Sequence, residues 1–429
     1  MLRFWTSLAL VCATPLVYGA SSYADSAARP PDEIIQWNET LLTIVRTPGA
    51  QAATVHPTRS FAIMHAAVYD AVNAIDATHK PYLVRLEHVS AHASQEAAVA
   101  AAAHETLITL YPAFQTTLDQ QYDQSLAQIP DGADKTTGID VGRAVALATL
   151  TLRSDDGSAA TPIPFVFGNA PGDYQSTPPN FPAQPVFTHW SRVTPFALEL
   201  AKQFRLGPPP ALTSAAYTAA FNEVKSLGIA NSTAATADQA LIGRFWNGAI
   251  QNYWNEITQT TVHAHQLTTA ESARVFALLN LTLADEVIAF YDSKYTYNLW
   301  RPVTAIRAGA TDGNPDTAAD PNWLPQAGRT AADPSYPGAH ATISAGGAFV
   351  LSALFGDKPF QLSVTSEVLP GVVRSFDSFA AIEKEASLSR VYAGQHFRSD
   401  ENAGEKLGSA VADFVVDNFL TLVGDGDHY

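Results

Sequence analysis

Apolar residues recur at helical spacing along most of the chain. In PDEIIQWNETLLTIVR, Ile34, Ile35, Leu41, Leu42 and Val45 fall on one face and predict a helix. SFAIMHAAVYDAVNAI, residues 60–75, predicts a second, rich in alanine and with few charges, hence buried. ASQEAAVAAAAHETLITLY and TGIDVGRAVALATLTLR predict a third and a fourth. Alanine at this density favours helix and lets helices approach closely. FALELAKQFRLGPPP carries a helical pattern that ends at Gly207 and three prolines. SAAYTAAFNEVKSLG, TADQALIGRFWNGAIQNYWNEITQTTVHAHQL and the long ESARVFALLNLTLADEVIAFYDSKYTYNLW return to helix. ATISAGGAFVLSALFG is another, and EKEASLSRVYAGQHFRSDENAGEKLGSAVADFVVDNFLTLV reads as helix, loop, helix. Two stretches break the pattern. Residues 155–185 are dense in Pro, Gly and Ser, and residues 308–336 are irregular. Loops of that length are uncommon without a role, so both are expected at the mouth of a pocket. The pattern predicts a mainly helical protein with long irregular insertions.

Composition narrows what such a protein can do. The chain has 429 residues, 47% of them hydrophobic and only 15% charged, which is ample for a large core and argues against disorder. Its formal net charge of -16 makes it a poor partner for nucleic acid, so any anion site must be a local cluster of cations. The N-terminus reads as a secretory signal over residues 1–24. Arg3 precedes the apolar run FWTSLALVCATPLV, and small residues at Val17/Gly19 or Ser22/Ala24 offer cleavage sites. A secreted or periplasmic location is therefore expected. The single cysteine, Cys12, lies inside that segment, so the mature chain would hold no disulfide, thiolate metal site or cysteine nucleophile. No other apolar run reaches the length of a membrane span.

Three short stretches carry candidate chemistry. In DSKYTYNLWRP, Lys294 and Arg301 are seven residues apart, two helical turns or about 10 Å along the axis. Pro302 pushes Arg301 out of helical geometry and lets its guanidinium turn toward whatever Lys294 addresses. The plainer alternative pairs both cations with Asp285, Glu286 or Asp292. In YPGAHATISAGGAF, His340 stands at a helix start behind Gly338 and Ala339, where free N–H groups and the helix dipole favour an anion. In SRVYAGQHFRSD, Gly394 suggests a loop that brings Arg390 and His396 to one centre. Asp400, four residues after His396, would hold one ring nitrogen protonated and leave the other free to attack or ligate. A buried His–Asp pair that only stiffens the fold is the alternative. Together, three cations, two histidines and a helix N-terminus make a pocket for a compact, multiply charged oxyanion such as phosphate or vanadate.

These stretches resemble the signature of the superfamily that joins type 2 phosphatidic acid phosphatases and vanadium-dependent haloperoxidases, with motifs KxxxxxxRP, PSGH and SRxxxxxHxxxD. The first matches as Lys294, Arg301 and Pro302, and the third as Ser389, Arg390, His396 and Asp400. The second matches in position as Pro337-Gly338-Ala339-His340. MHAAVYDAVNAI and FWNGAIQNYW also look like the N-terminal helical region of secreted bacterial haloperoxidase-like members, so the resemblance covers most of the mature chain. It implies one all-α domain over residues 25–429, built on two four-helix bundles, with the oxyanion core in residues 285–405. It implies vanadate as cofactor, with phosphate as the alternative occupant. His396 would be the axial metal ligand, or the nucleophile of a phosphatase, oriented by Asp400. Lys294, Arg301 and Arg390 would hold the oxyanion, with N–H donors at Gly338 and Ala339. His340 would be the acid–base residue, and Lys294 would polarise bound peroxide for attack by halide. The implied partners are hydrogen peroxide, halide and a small organic acceptor, and the relatives are monomers or homodimers.

The departures bear on activity. The family serine is Gly338 here and the family glycine is Ala339, so one side-chain hydrogen bond to the anion is lost, worth about 1.5–3 kcal/mol unless Ser335 or a water replaces it. Asp333 stands where an aromatic or histidine is common, and Tyr291 where a tryptophan is common. An anionic Asp333 near the halide path would repel chloride and favour bromide or iodide. A soluble secreted acid phosphatase acting through phosphohistidine on a phosphomonoester needs the same residues, and a non-catalytic oxyanion binder is a third reading.

Overall fold

The structure, a computed structural model, describes residues 32–356 and 361–424; the segment read as a secretory signal lies outside them. Thirteen α-helices occur among the described residues. They are α1 (Glu33–Arg46), α2 (Thr58–Asp76), α3 (Gln95–Leu110), α4 (Gln115–Ala127), α5 (Ala133–Leu152), α6 (Ala215–Leu227), α7 (Ala237–Phe245), α8 (Ile250–His265), α9 (Thr269–Tyr297), α10 (Pro302–Arg307), α11 (Ala339–Phe355), α12 (Phe379–Tyr392) and α13 (Arg398–Asn418). Side chains start many of them. Asp32 caps α1, Ser94 caps α3, Ser214 caps α6 and Ser378 caps α12. Thr236 and Thr268 open α7 and α9 as reciprocal capping boxes with Gln239 and Glu271.

The helices form two four-membered bundles that share α9. α2, α3 and α5 pack on one another, with α9 against α2; α11 packs on α9, α12 and α13, and α13 closes back on α9. That shared position explains why α9 is long and apolar nearly all round: a helix with neighbours on both sides has no solvent face. In the second bundle Gly404 and Gly408 let α13 close onto α11, because a side chain at either would strike the Gly338 or Thr342 carbonyl. This contact brings the start of α13 to the start of α11. No helix among the described residues is long and apolar enough to cross a membrane.

Three local features depart from the sequence reading. α4 is unforeseen, since QTTLDQQYDQSLA buries only Leu118 and Ser125 and shows little apolar period. A short antiparallel hairpin, β1 (Leu362–Thr365) with β2 (Val373–Phe376), is also unforeseen; four-residue strands are too short to show alternation. The helix expected in FALELAKQFR is a run of turns. The N–H groups of Phe196, Ala197 and Leu198 donate to the buried Asp285 carboxylate of α9 at 2.6–2.7 Å, which ties the segment to α9.

Candidate oxyanion site

Lys294 lies in the last turn of α9 and is fully buried. Its ammonium donates to the carbonyls of Pro334 (2.6 Å) and Ser335 (3.2 Å) and lies 3.5 Å from Asp333 Oδ2. Arg301 precedes Pro302 in extended backbone (φ -82, ψ 155), as the proline requires. Its guanidinium makes four contacts, which leaves one Nη2 N–H over. Nε donates to the Asp333 carbonyl (2.7 Å), Nη2 to Asp333 Oδ1, and Nη1 to the Gln395 carbonyl (3.1 Å) and to His396 Nε2 (3.0 Å). The alternative partners take no part: Asp292 pairs with Arg205, Asp285 holds the backbone of residues 196–198, and Glu286 is buried with both oxygens unpartnered.

Asp333 is therefore not a free negative charge on a halide path, and that expectation is corrected. Burial pushes its carboxyl up, but Lys294 and Arg301 more than offset this and hold it below the usual range. Burial lowers Lys294 to about 8 against the opposing pull of Asp333.

Gly394 takes a left-handed φ of +74 in the loop between α12 and α13, and a side chain there would strike the Gly228 carbonyl. The turn folds the backbone N–H groups of Gln395 (2.8 Å) and His396 (3.4 Å) onto the Arg390 carbonyl, so Arg390 and His396 meet as the sequence suggested. Gly394→Ala is expected to lower the melting temperature and weaken oxyanion binding, because the left-handed turn costs a non-glycine residue about 1–2 kcal/mol before the clash is counted. Calorimetric melting and phosphate titration of the variant check this; unchanged values in both would contradict it.

His396 stands in the loop just before α13, so it and Asp400 do not share a helix face despite their i,i+4 spacing. They still meet, with Nδ1 3.4 Å from Asp400 Oδ2, 3.4 Å from Ser335 Oγ and 3.7 Å from Glu401 Oε1. Arginine only donates, so Nε2 facing Arg301 is the accepting nitrogen and Nδ1 carries the proton. Burial first, then Arg301 and Lys294, push the ring's pKa well below its ordinary value and keep it neutral. Asp400, the third residue of α13, accepts from the Phe397 N–H (3.1 Å) and from Ser335 Oγ (2.6 Å). Ser335 thus spends its proton on Asp400 and does not replace the missing motif serine.

His340 is the second residue of α11, behind Gly338, which has no side chain to cap the helix. The first N–H groups of α11 at Ala339 and His340 are accordingly free of helical acceptors. His340 Nε2 donates to the Trp246 carbonyl (3.0 Å), which leaves Nδ1 as the accepting nitrogen; burial, then Arg390, hold this ring neutral too. Arg390 ends α12. Its Nη1 reaches Asn247 Oδ1 (3.2 Å), while Nε is buried without a partner. A cavity of about 380 Å³ opens onto His340 and Arg390, walled by residues from the 177–182 and 329–332 segments, both inside the two irregular stretches. Among the described residues no carboxylate lines it.

The donor set fits vanadate or phosphate. It offers a neutral imidazole with its lone pair on Nε2, three cations from α9–α10 and α12, an uncapped helix start and a buried guanidinium nitrogen in need of an acceptor. Asp333 offsets one of the three positive charges.

Residues 274–425 match the family model of the VCPO second helical-bundle domain, the region that holds every one of these groups. The vanadium chloroperoxidase of Curvularia inaequalis is 25% identical, over 66% of this chain and 60% of that protein. These matches support the vanadium haloperoxidase family for this chain. It thus matches less than two thirds of the length of that curated relative. Among solved haloperoxidases, a bacterial vanadium-dependent iodoperoxidase superposes with a TM-score of 0.76 at 24% identity, covering 92% of this chain and 97% of that one. A bacterial vanadium-dependent chloroperoxidase gives 0.66 at 14% identity, covering 91% and 96%. The all-α haloperoxidase bundle architecture is the fold of this chain.

Sequence reasoning missed Glu401, Asn247 and the carbonyls of Trp246 and Gln395. Asn247 and Trp246 lie between α7 and α8, distant in sequence from any motif. Glu401 sits beside the motif aspartate, where an acid in the first turn of a helix reads as a dipole partner.

Proposed function

We propose that this protein is a vanadate-dependent haloperoxidase that uses hydrogen peroxide to oxidise bromide or iodide in preference to chloride. The observation that carries the proposal is the state of His396, a neutral ring with its proton held on Nδ1 by the Asp400 side and its lone pair presented at Nε2 among cations. Vanadate held there would supply a vanadium(V) Lewis acid that activates peroxide.

The residues of the chain would divide the remaining work. His396 Nε2 would hold the metal while Asp400 and Ser335 keep the ring from turning. Arg301, Arg390 and the N–H groups at the start of α11 would neutralise and orient the oxygens. Lys294, buried and with its pKa lowered to about 8, would donate a hydrogen bond to the oxygen that halide attacks. His340, with Nε2 fixed on the Trp246 carbonyl, would take the proton of incoming peroxide at Nδ1. The preference against chloride follows from Asp333. Its carboxylate on Arg301 and Lys294 reduces the positive field at the oxyanion, so the site withdraws less charge from bound oxygen and oxidises only the more easily oxidised halides.

The test is to incubate the protein with orthovanadate in phosphate-free buffer and assay halogenation of a 1,3-diketone with peroxide and each halide in turn. Vanadate-dependent bromination and iodination exceeding chlorination is expected. Absence of halogenation together with vanadate-inhibited release of phosphate from an aryl phosphate would move the protein to the phosphatases.

A further inference from the structure

The cavity beside His340 and Arg390 is larger than an oxyanion needs. Its volume of about 380 Å³ is that of a site for a small organic molecule. Much of its lining is apolar and stiff, with Pro178, Pro179 and Pro182 from one segment and Ala331 and Ala332 from the other. Ser176 Oγ donates to the Pro182 carbonyl (2.7 Å), and the Val186 N–H donates to the Ala332 carbonyl (2.8 Å), which ties the first segment to the second. Arg329 lines the same cavity and is exposed. Its backbone is pinned beside the site, because Gln395 Nε2 donates to its carbonyl at 2.6 Å. Elsewhere in the chain Arg46, Arg143, Arg374 and Arg398 hold Glu256, Glu105, Glu385 and Glu223. Arg329 has no carboxylate at ion-pair distance among the described residues. Burial is the largest of the influences that lower Arg390 to about 10, and repulsion from Arg329 is among the others, so the Arg329 charge is felt inside the cavity. In a chain of net charge -16, an unpaired cation in a cleft without acids marks a place for an anion. The oxyanion occupies Lys294, Arg301 and Arg390, which leaves Arg329 for a second one. A halide has no use for an apolar cavity of this size, whereas an organic anion uses both the cation and the lining.

We propose that this cavity binds the organic acceptor, and that the acceptor is a small aromatic carboxylate with its acid group on Arg329 and its ring against the prolines and alanines. This names the substrate class of the proposed function and rests on that function for the chemistry that follows binding. The planar fork of a guanidinium matches a carboxylate, and a neutral group in its place loses the charge-assisted bonds. A stiff lining loses little freedom when the ring settles on it. Asn247 spends its side-chain oxygen on Arg390 Nη1 (3.2 Å), which leaves its amide N–H groups for the same ligand. Held there, an electron-rich ring carbon meets hypohalous acid, the product of halide and peroxide. The carbon attacks the halogen, the carbon–halogen bond forms as the oxygen–halogen bond breaks, and the hydroxide released takes up the proton lost from the ring as water.

The test titrates 4-hydroxybenzoate, and separately its neutral counterpart 4-hydroxybenzamide, into the full chain by calorimetry, with phosphate in excess to fill the oxyanion site. The wild type is expected to bind the benzoate about tenfold more tightly than the amide, the worth of one bond to a charged group at an exposed position. Arg329→Gln should lose that margin for the benzoate and leave the amide within about twofold. Arg329→Lys should recover part of it, since the charge returns without the fork. In the bromination assay with vanadate, the effect of Arg329→Gln should fall on KM for the benzoate rather than on kcat. Equal affinity of the wild type for benzoate and amide, or wild-type benzoate affinity in Arg329→Gln, would overturn the inference. Phosphate that competes the benzoate away would also overturn it, by placing the carboxylate in the oxyanion site. Halide oxidation without discrimination between benzoate and amide sinks this inference alone. Binding that depends on Arg329 without halide oxidation sinks the proposed function and leaves the aromatic carboxylate site standing.

Discussion

His396→Ala is expected to abolish vanadate-dependent bromide oxidation and to weaken vanadate binding by more than about 100-fold. Partners that merely orient a metal-binding histidine are worth about 10–100-fold in affinity, and here the ligating nitrogen itself is removed. The substitution takes away the Nε2 acceptor that faces Arg301 Nη1 and the Nδ1 donor that faces Asp400. Calorimetric titration of the folded variant with orthovanadate, alongside the bromination assay, reads the effect directly. Retention of vanadate-dependent turnover by His396→Ala would remove His396 from its proposed role. Binding that persists without turnover would leave an oxyanion pocket with another ligand at its centre.

The second large effect concerns Asp333. Asp333→Asn is expected to cost about 3 kcal/mol of stability at neutral pH, because it removes the carboxylate that pairs directly with the buried Lys294 and Arg301. The sign of its pH dependence follows from the carboxyl's depressed pKa. A group more acidic in the folded chain contributes stability above its unfolded pKa and loses that contribution as pH falls through the folded value. The gap between wild type and Asp333→Asn should therefore be full above about pH 4 and close below it. Phosphate or vanadate should narrow the gap at pH 7, since the bound anion supplies the missing negative charge. Denaturant melts at pH 7 and pH 3, with and without phosphate, measure all three effects. Equal stability of the two proteins at pH 7 would show that the pair contributes nothing net.

Much of the site was legible in the amino-acid sequence. Lys294, Arg301, His340, Arg390, His396 and Asp400 carry spacing that only a few chemistries need, and the fold gathers them around one centre. Local rules sufficed for the parts that depend on near neighbours: the extended backbone that Pro302 forces on Arg301, the turn at Gly394 and the helix start at Gly338. The helical class was legible for the same reason, since amphipathic periodicity and alanine content act within a few turns of chain. Where the local signal was weak or overruled, the reading failed. α4 has too few buried positions to announce itself, and residues 196–206 carry a helical pattern that Asp285, nearly ninety residues away, overrides.

Residue type and short-range spacing were enough to point to a candidate oxyanion pocket, with its cations and two histidines. Helix packing settled which charges remain available and what fills the vacancy at Gly338. Asp333 looked like a free repulsive charge in the sequence and is a buried counter-ion in the fold. Ser335 looked like a replacement donor and is committed to Asp400. Glu401 stands outside every motif in the sequence, and the packing of α13 on α11 buries it against Gly338 and His396. The common reason is that a charge or a hydrogen bond is set by its partners, and here the partners come from helix starts and loops tens of residues apart.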